Sequence, residues 1–368
     1  MKFNILHTEW SSGWGGQEQR IVLECRKMID LGHTVILACQ PGSGILTKAC
    51  EQDIPVEEVA IKSGWDLRAI FELCRLIRKY SINIVNTHSG KDTWVGGLAA
   101  KLCGVKFIRT RHLSIPLSNS PFNFIHRLAD GTITTGIAIR DTMIATNGIL
   151  PDRVVSIATG VDMERFNPET VTKSDALMQE LGIRRDCPVI TMVAVLRSMK
   201  RHDILLNAAK LVLSKIPNAQ FLVVGDGPGR ETTRKLAQEL GIENNVIFCG
   251  HRADVPDILA LSDIVVLTSD RFEGVPQSLS QAMAMARPVV ASPIGSIPEL
   301  IEDGITGLFA ETGISESFAE KILQLIEDES LRKKMGLAAR RHILEHYTDD
   351  IMVRTTTEFY NRISGQLS

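Results

Sequence analysis

What the chain lacks narrows its class before any motif is read. No apolar run approaches the roughly 18 residues needed to span a bilayer; Pro188 to Leu196 is about half that length and reads as a buried strand. The seven cysteines are odd in number, scattered and without a C-x-x-C pairing, which argues against a disulfide framework and a zinc ribbon and fits a reducing compartment. Aromatics make up only 5% of the chain, and neither sign of charge dominates: 41 Lys and Arg stand against 43 Asp and Glu, so bulk electrostatics imply no nucleic-acid partner. Lys2 leads straight into Phe3-Asn4-Ile5-Leu6 with no signal-peptide apolar region, so a cytoplasmic location is expected. Low-complexity tracts are missing too.

What is present is an ordinary globular composition over 368 residues, a length at which two domains are the prior. Short apolar runs alternate with helical patterns, which implies parallel sheets. Strands are expected at Phe3 to Thr8, Thr34 to Ala38, Ile82 to Asn86 and Phe107 to Thr110. The scheme restarts with strands at Val189 to Val195, Gln220 to Val224, Val246 to Cys249, Ile264 to Leu267 and Pro288 to Ala291. The fold class expected is therefore α/β, with two Rossmann-like, doubly wound parallel-sheet domains facing a central cleft. Turn-rich Thr159 to Asp162 and Phe166 to Glu169 mark the linker, giving domains at 1–165 and 166–347 and a C-terminal helical segment at 348–368. A return of that segment to the first domain is one arrangement open to it. Charge is uneven locally: from Lys62 to Arg111 there are ten Lys or Arg against three acids, which fits either solvated helix faces or a surface that docks on anionic lipid or an anionic acceptor.

Ligands of open α/β sheets bind beyond the carboxyl ends of strands, so loops after strands carry the candidates. Gly15-Gly16 after the first strand lets backbone approach a ligand at a helix start. Leu196-Arg197-Ser198-Met199-Lys200-Arg201-His202 places three cations where a helix dipole favours anions, a conflict that a bound phosphate resolves. Val224-Gly225-Asp226-Gly227-Pro228-Gly229 reads as a tight turn lining the cleft. Glu273-Gly274-Val275-Pro276 opens another helix after a strand, and Gln281, eight residues after Glu273, is expected about two turns down that helix, so both can face one ligand. On the N-terminal side, His88 and His112 follow strands, with Arg111 beside the latter. His342 and His346 are spaced for a metal but lack a third ligand, and no paired carboxylates occupy a strand-end loop, so no metal site is expected.

Together these segments resemble the retaining glycosyltransferases of family four, glycosyl transferases group 1, with the GT-B fold. The resemblance runs from Gly15-Gly16 through Thr110-Arg111-His112, the Thr159 to Phe166 stretch, Leu196 to Lys200 and Val224 to Pro228, to Glu273 through Met283. It implies a metal-independent hexosyl-type transferase that moves a sugar from a nucleoside-diphosphate sugar, a substrate and no cofactor, to a hydroxyl acceptor in cell-surface polysaccharide or lipid-linked glycan assembly. It also implies residue roles. Lys200, assisted by Arg197, would bind the donor diphosphate and stabilise the leaving group. Glu273 would contact the sugar, the amides of Gly274 and Val275 would meet sugar or phosphate, and Pro276 would start the helix behind them. Gly15 and Gly16 would let backbone reach the diphosphate, His112 would line the sugar, and His88 and Arg111 would face the acceptor. The chain departs from the pattern at Gln281, where relatives commonly hold a glutamate on the ribose, at Arg201, where glycine is usual, and at Val195, where an arginine is often found. The rivals are a sugar-nucleotide epimerase of the same fold and a non-catalytic nucleotide-sugar sensor. Peripheral contact at the inner face of an anionic membrane is a further expectation.

Overall fold

The β-branched runs of the first half form seven strands: β1 Asn4–Glu9, β2 Thr34–Cys39, β3 Val56–Glu58, β4 Ile84–Thr87, β5 Lys106–Arg111, β6 Gly131–Thr134 and β7 Val154–Ser156. All pair in parallel in the order β3-β2-β1-β4-β5-β6-β7. A parallel sheet needs both faces covered. One face is packed by a cluster containing Ile21, Val22 and Met28 from the helix Gly16–Asp30, the other by Leu73, Leu76, Val95 and Ala99 from the helices Leu67–Lys79 and Gly90–Cys103. The computed structural model describes residues 2–112, 117, 120 and 123–365.

The second half builds a separate six-stranded parallel sheet: β8 Val189–Val193, β9 Gln220–Val224, β10 Val246–Gly250, β11 Ile264–Leu267, β12 Val289–Ala291 and β13 Gly307–Phe309. Its order is β10-β9-β8-β11-β12-β13. Both sheets reverse their winding once, between β1 and β4 and between β8 and β11. Each reversal opens a crevice at the carboxyl ends of its two central strands.

The chain divides into Met1–Gly160 with Asp349–Ser368, and Val161–Thr348. The boundary therefore falls at Gly160, earlier than the 165 read from turn residues. The reason is that the intervening stretch is held by the second unit: the Val161 amide donates to the Tyr347 carbonyl at 2.8 Å, and the Arg340 guanidinium reaches the Phe166 carbonyl at 3.3 Å. The last helix, Asp349–Ile363, belongs to the first unit, where Met352, Val353, Phe359 and Tyr360 join the cluster around Ile21. Asn86 Nδ2 donates to the Tyr360 hydroxyl at 2.8 Å, and Lys27 pairs with Asp349 at 2.9 Å. Residues 366–368 lie outside the described residues.

Candidate active site

In the second unit the chain leaves β8 into the turn Leu196 to Lys200, and leaves β11 into Thr268 to Pro276. These are the two central strands, so both loops sit at the crevice. The Thr268 hydroxyl ties them together, lying 2.9 Å from the Lys200 carbonyl and 2.8 Å from that of Arg201, and the Asp270 amide donates to the Met199 carbonyl at 3.1 Å. Across this tie Lys200 Nζ meets Glu273 Oε1, which also accepts from the Ser269 hydroxyl at 2.5 Å. Glu273 is only 6% exposed. Its carboxylate is thus oriented by two partners, and an ammonium with three donors retains two after meeting it. Arg197 caps the single turn Ser198–Lys200 and its side chain is exposed.

The structure separates the cations that sequence had grouped. Arg201 stands at φ 51° and ψ 51°, the left-handed region, so the glycine usual there serves a backbone need. This chain keeps a side chain in that strained position, and the guanidinium grips Asp203 at 2.8 Å and Asp270 at 3.3 Å. Arg201 therefore has the structural role that the sequence reading denied it. Burial holds His202 down to about 4, so it is uncharged at neutral pH. Two cations remain for an anion, Lys200 and Arg197.

The glycines of Val224 to Gly229 allow one loop to lie against another. A Cβ on Gly225 would come 2.0 Å from the Ala194 carbonyl oxygen, and one on Gly227 would come 2.8 Å from that of Leu196. The Leu196 amide donates to the Asp226 carbonyl at 3.1 Å, and Gly229 donates back to Leu196 at 2.9 Å. The segment thus supports the Arg197 turn from behind. Gly295, at φ 52°, does the same for Glu273: a Cβ there would meet the Glu273 carbonyl oxygen at 2.2 Å. Phe272, also left-handed at φ 60°, turns the chain immediately before Glu273. The Gly274 and Val275 amides meet no acceptor among the described residues. The helix behind them runs Gln277–Ala284 with Pro276 as its cap, so Gln281 lies about one turn into it rather than two. Its side chain is half-buried, and its amide group has no hydrogen bond among the described residues.

In the first unit, His88 follows β4 and His112 follows β5, and a third histidine that sequence did not flag completes a line. His7 Nδ1 lies 2.8 Å from His88 Nε2, and His88 Nδ1 lies 3.0 Å from His112 Nε2. Burial first, then the field of Arg20, lowers His7 to about 3; burial also holds His88 and His112 well below their ordinary value. All three rings are neutral at pH 7, each contact holds one proton, and the tautomers of the line are fixed together. His7 sits on β1, two residues before Glu9, and only the alternation of a buried strand hinted at it.

Beside this line is a pair of carboxyls. The Ser89 hydroxyl lies 2.7 Å from both Glu9 Oε1 and Asp92 Oδ1. One hydroxyl proton serves one acceptor, so the other contact needs a protonated carboxyl. Asp92 also accepts the His88 amide at 2.7 Å and the Ser89 amide at 2.9 Å at the start of the helix Gly90–Cys103, which favours its charged form. Glu9 is then the proton carrier. Burial raises both carboxyls, and the Asp92 charge adds to the rise at Glu9, which goes up to about 8. Glu9 approaches the Gly15-Gly16 loop through the Ser11 amide at 2.7 Å and the Gln17 side chain. Gly15 itself caps the helix that Gly16 begins, its amide donating to Glu18 at 2.9 Å.

His88, His112 and Arg111 line one cavity of about 640 Å³ in this unit, together with Trp10, Trp94 and Arg109. The rings of His342 and His346 stand 4.9 Å apart at an interplanar angle of 59° on a helix of the second unit, and no group of three metal-ligating side chains occurs among the described residues. Among those residues, too, no helix is long and apolar enough to cross a membrane.

With this geometry in place, comparison with known proteins gives the family. The profile of Glycosyltransferase Family 4 matches residues 14–165, and that of Glycosyl transferases group 1 matches residues 173–342. An N-acetyl-alpha-D-glucosaminyl L-malate synthase of Bacillus anthracis is 32% identical over 80% of this chain and 79% of its own. A UDP-Gal:alpha-D-GlcNAc-diphosphoundecaprenol alpha-1,3-galactosyltransferase of Escherichia coli is 28% identical over 72% of each chain. The crystal structure of a glycosyltransferase from Rickettsia africae superposes with a TM-score of 0.89 at 24% identity, over 100% of both chains. Two doubly wound parallel sheets in this arrangement of strands constitute the GT-B fold, and the chain belongs to glycosyltransferase family 4, glycosyl transferases group 1.

Proposed function

We propose that this glycosyltransferase moves a sugar from a nucleoside-diphosphate sugar to a hydroxyl acceptor with retention of configuration and without a metal, in the assembly of a cell-surface polysaccharide or lipid-linked glycan. The observation that carries the reading is the Lys200–Glu273 pair at the switch point of the second sheet, a cation and a buried carboxylate poised side by side beyond two strand ends. A donor offers the matching chemistry: a diphosphate for Lys200 and Arg197, and sugar hydroxyls for Glu273 and the free amides of Gly274 and Val275. Gln281 is assigned to the ribose, where its neutral amide donates and accepts. Gly15, Gly16 and His112 keep the donor-side roles, and His88 and Arg111 the acceptor-side roles, that the family resemblance implies. A relative whose name specifies a UDP-sugar and a diphosphate-linked lipid acceptor supports the substrate classes.

In the reaction the bond from the anomeric carbon to the phosphate oxygen breaks, and the acceptor oxygen bonds the same carbon on the same face. The acceptor's proton passes to the departing phosphate oxygen, whose growing charge Lys200 stabilises. No protein general base is needed. Exposed Leu67 and Phe71 beside Lys62, Arg68 and Arg75 form the surface assigned to anionic lipid. Proton NMR of the first product from an α-linked donor tests the stereochemistry. An α-glycoside is expected, and a β-glycoside would remove the same-face mechanism.

A further inference from the structure

The cavity of the first unit has an unusual balance. Its described lining holds Lys91, Arg109, Arg111 and three tryptophans, and includes no carboxylate. Arg109 and Arg111 are two apart on β5, so their side chains leave the same face of the sheet. Both are less than a tenth exposed, at 6% and 8%. A guanidinium carries five donors and is costly to bury without an anion. Arg109 spends one nitrogen on His126 Nδ1, and its Nε has no partner among the described residues. His126 supplies no countercharge, because burial and the neighbouring arginines hold it at about 3 and so neutral. Asp92 is the acid whose field reaches Arg109, but the two form no ion pair, and Asp92 is already committed to Ser89 and Thr8.

Aromatic faces adjoin these cations. Trp65 and Trp94 stand 4.9 Å apart, Phe124 meets Trp94 edge-on at 5.1 Å, and Lys91 Nζ lies 4.2 Å over the Trp10 ring. Sugar rings present C–H faces that pack on aromatic planes, and a phosphate offers the two coplanar oxygens that a guanidinium fork fits. We propose that this cavity selects an acceptor bearing a phosphoryl or diphosphoryl group next to a sugar, with Arg109 and Arg111 on the phosphate and the tryptophans against the ring. The inference rests on reading the first unit as the acceptor side and names the class of acceptor it takes. The same headgroup occurs on a free sugar phosphate and on a polyprenyl diphosphate sugar, and the cavity recognises the chemistry they share.

The test compares three probes on the full chain by calorimetry: N-acetylglucosamine 1-phosphate, methyl N-acetylglucosaminide, and phosphatidylcholine vesicles carrying polyprenyl diphosphate N-acetylglucosamine. Two charge-assisted contacts predict that a phosphorylated probe binds about ten- to a hundred-fold more tightly than the uncharged glycoside. Arg109→Gln should erase most of that ratio. Binding of the free sugar phosphate points to a soluble source, and binding of the vesicles alone points to the lipid; both support the anionic site. Equal binding of charged and uncharged probes by wild-type protein overturns the proposal whether or not the variant folds. So does a ratio that Arg109→Gln leaves unchanged in a folded variant. Thermal stabilisation by nucleoside-diphosphate sugars is recorded on the same preparation. Its absence would count against the donor reading alone, whereas an uncharged preference with donor binding intact would count against the acceptor class alone.

Discussion

Lys200→Ala is expected to lower turnover of the sugar donor by about 10²- to 10³-fold, the usual effect of removing one group that stabilises charge in the transition state. The variant also strips Glu273 of its cation. That carboxylate is 6% exposed and would keep the Ser269 hydroxyl as its partner, so stability should fall as well. Removing one member of a buried pair costs about 3–5 kcal/mol, and the 20% exposure of the lysine side chain places this case toward the low end. The two losses separate in the double variant Lys200→Ala, Glu273→Gln, where no charge is left buried. Its melting temperature should recover while turnover stays low. Recovery of turnover along with stability would mean that neither charge takes part in the chemistry and that Lys200→Ala acts only by leaving a carboxylate buried without its cation. Release of nucleoside diphosphate, followed against thermal unfolding of each variant, is the measurement.

Gly295→Ala should be nearly as damaging although it touches no substrate atom. At φ 52° an alanine costs roughly 1–2 kcal/mol of backbone strain. The larger effect is steric. The new Cβ would stand 2.2 Å from the Glu273 carbonyl oxygen, so the Glu273 backbone must move and the bond from the Ser296 amide, now 3.1 Å, must lengthen. A misplacement of about 1 Å at a reacting group can cost about 10²-fold in rate. Gly182→Ala is the control: its φ of 68° brings similar strain, but nothing lies within 4 Å of its Cβ position. It should lose stability and keep its rate. Equal rates for both variants would show that Gly295 matters only for backbone conformation.

The helix starts and long strands were legible in the sequence because buried β-branched runs and glycine turns mark them locally. Both switch-point loops could be read for the same reason, since Lys200 and Glu273 follow strands with strong patterns. The short strands β3, β6, β7 and β13 were not, because three or four residues such as Gly131 to Thr134 carry too little periodicity to stand out. Gln281 was counted correctly from Glu273 but placed too deep, since the helix starts only at Gln277. The sequence counted cations before His202 but could not show that Arg201 is neutralised by Asp203 and Asp270, the latter 69 residues away. The line through His7, His88 and His112 joins three neighbouring strands or the residues just after them, and the Glu9–Ser89 contact joins residues 80 apart; pairings of that span are created by sheet order alone. Arg109 was seen only as part of a basic stretch, because its burial without a carboxylate is a property of the cavity.

Whether this protein holds a nucleoside diphosphate at all decides the roles of Lys200 and Glu273. Thermal unfolding of the wild-type chain with UDP, GDP and ADP, each raised to millimolar concentration, measures it. One of the three should stabilise the protein, by about 2.7 kcal/mol when present at about 100 times its Kd. The shift should shrink sharply in the double variant Lys200→Ala, Glu273→Gln. No shift with any of the three, or a shift that the double variant retains in full, would contradict the assignment of Lys200 to the donor diphosphate.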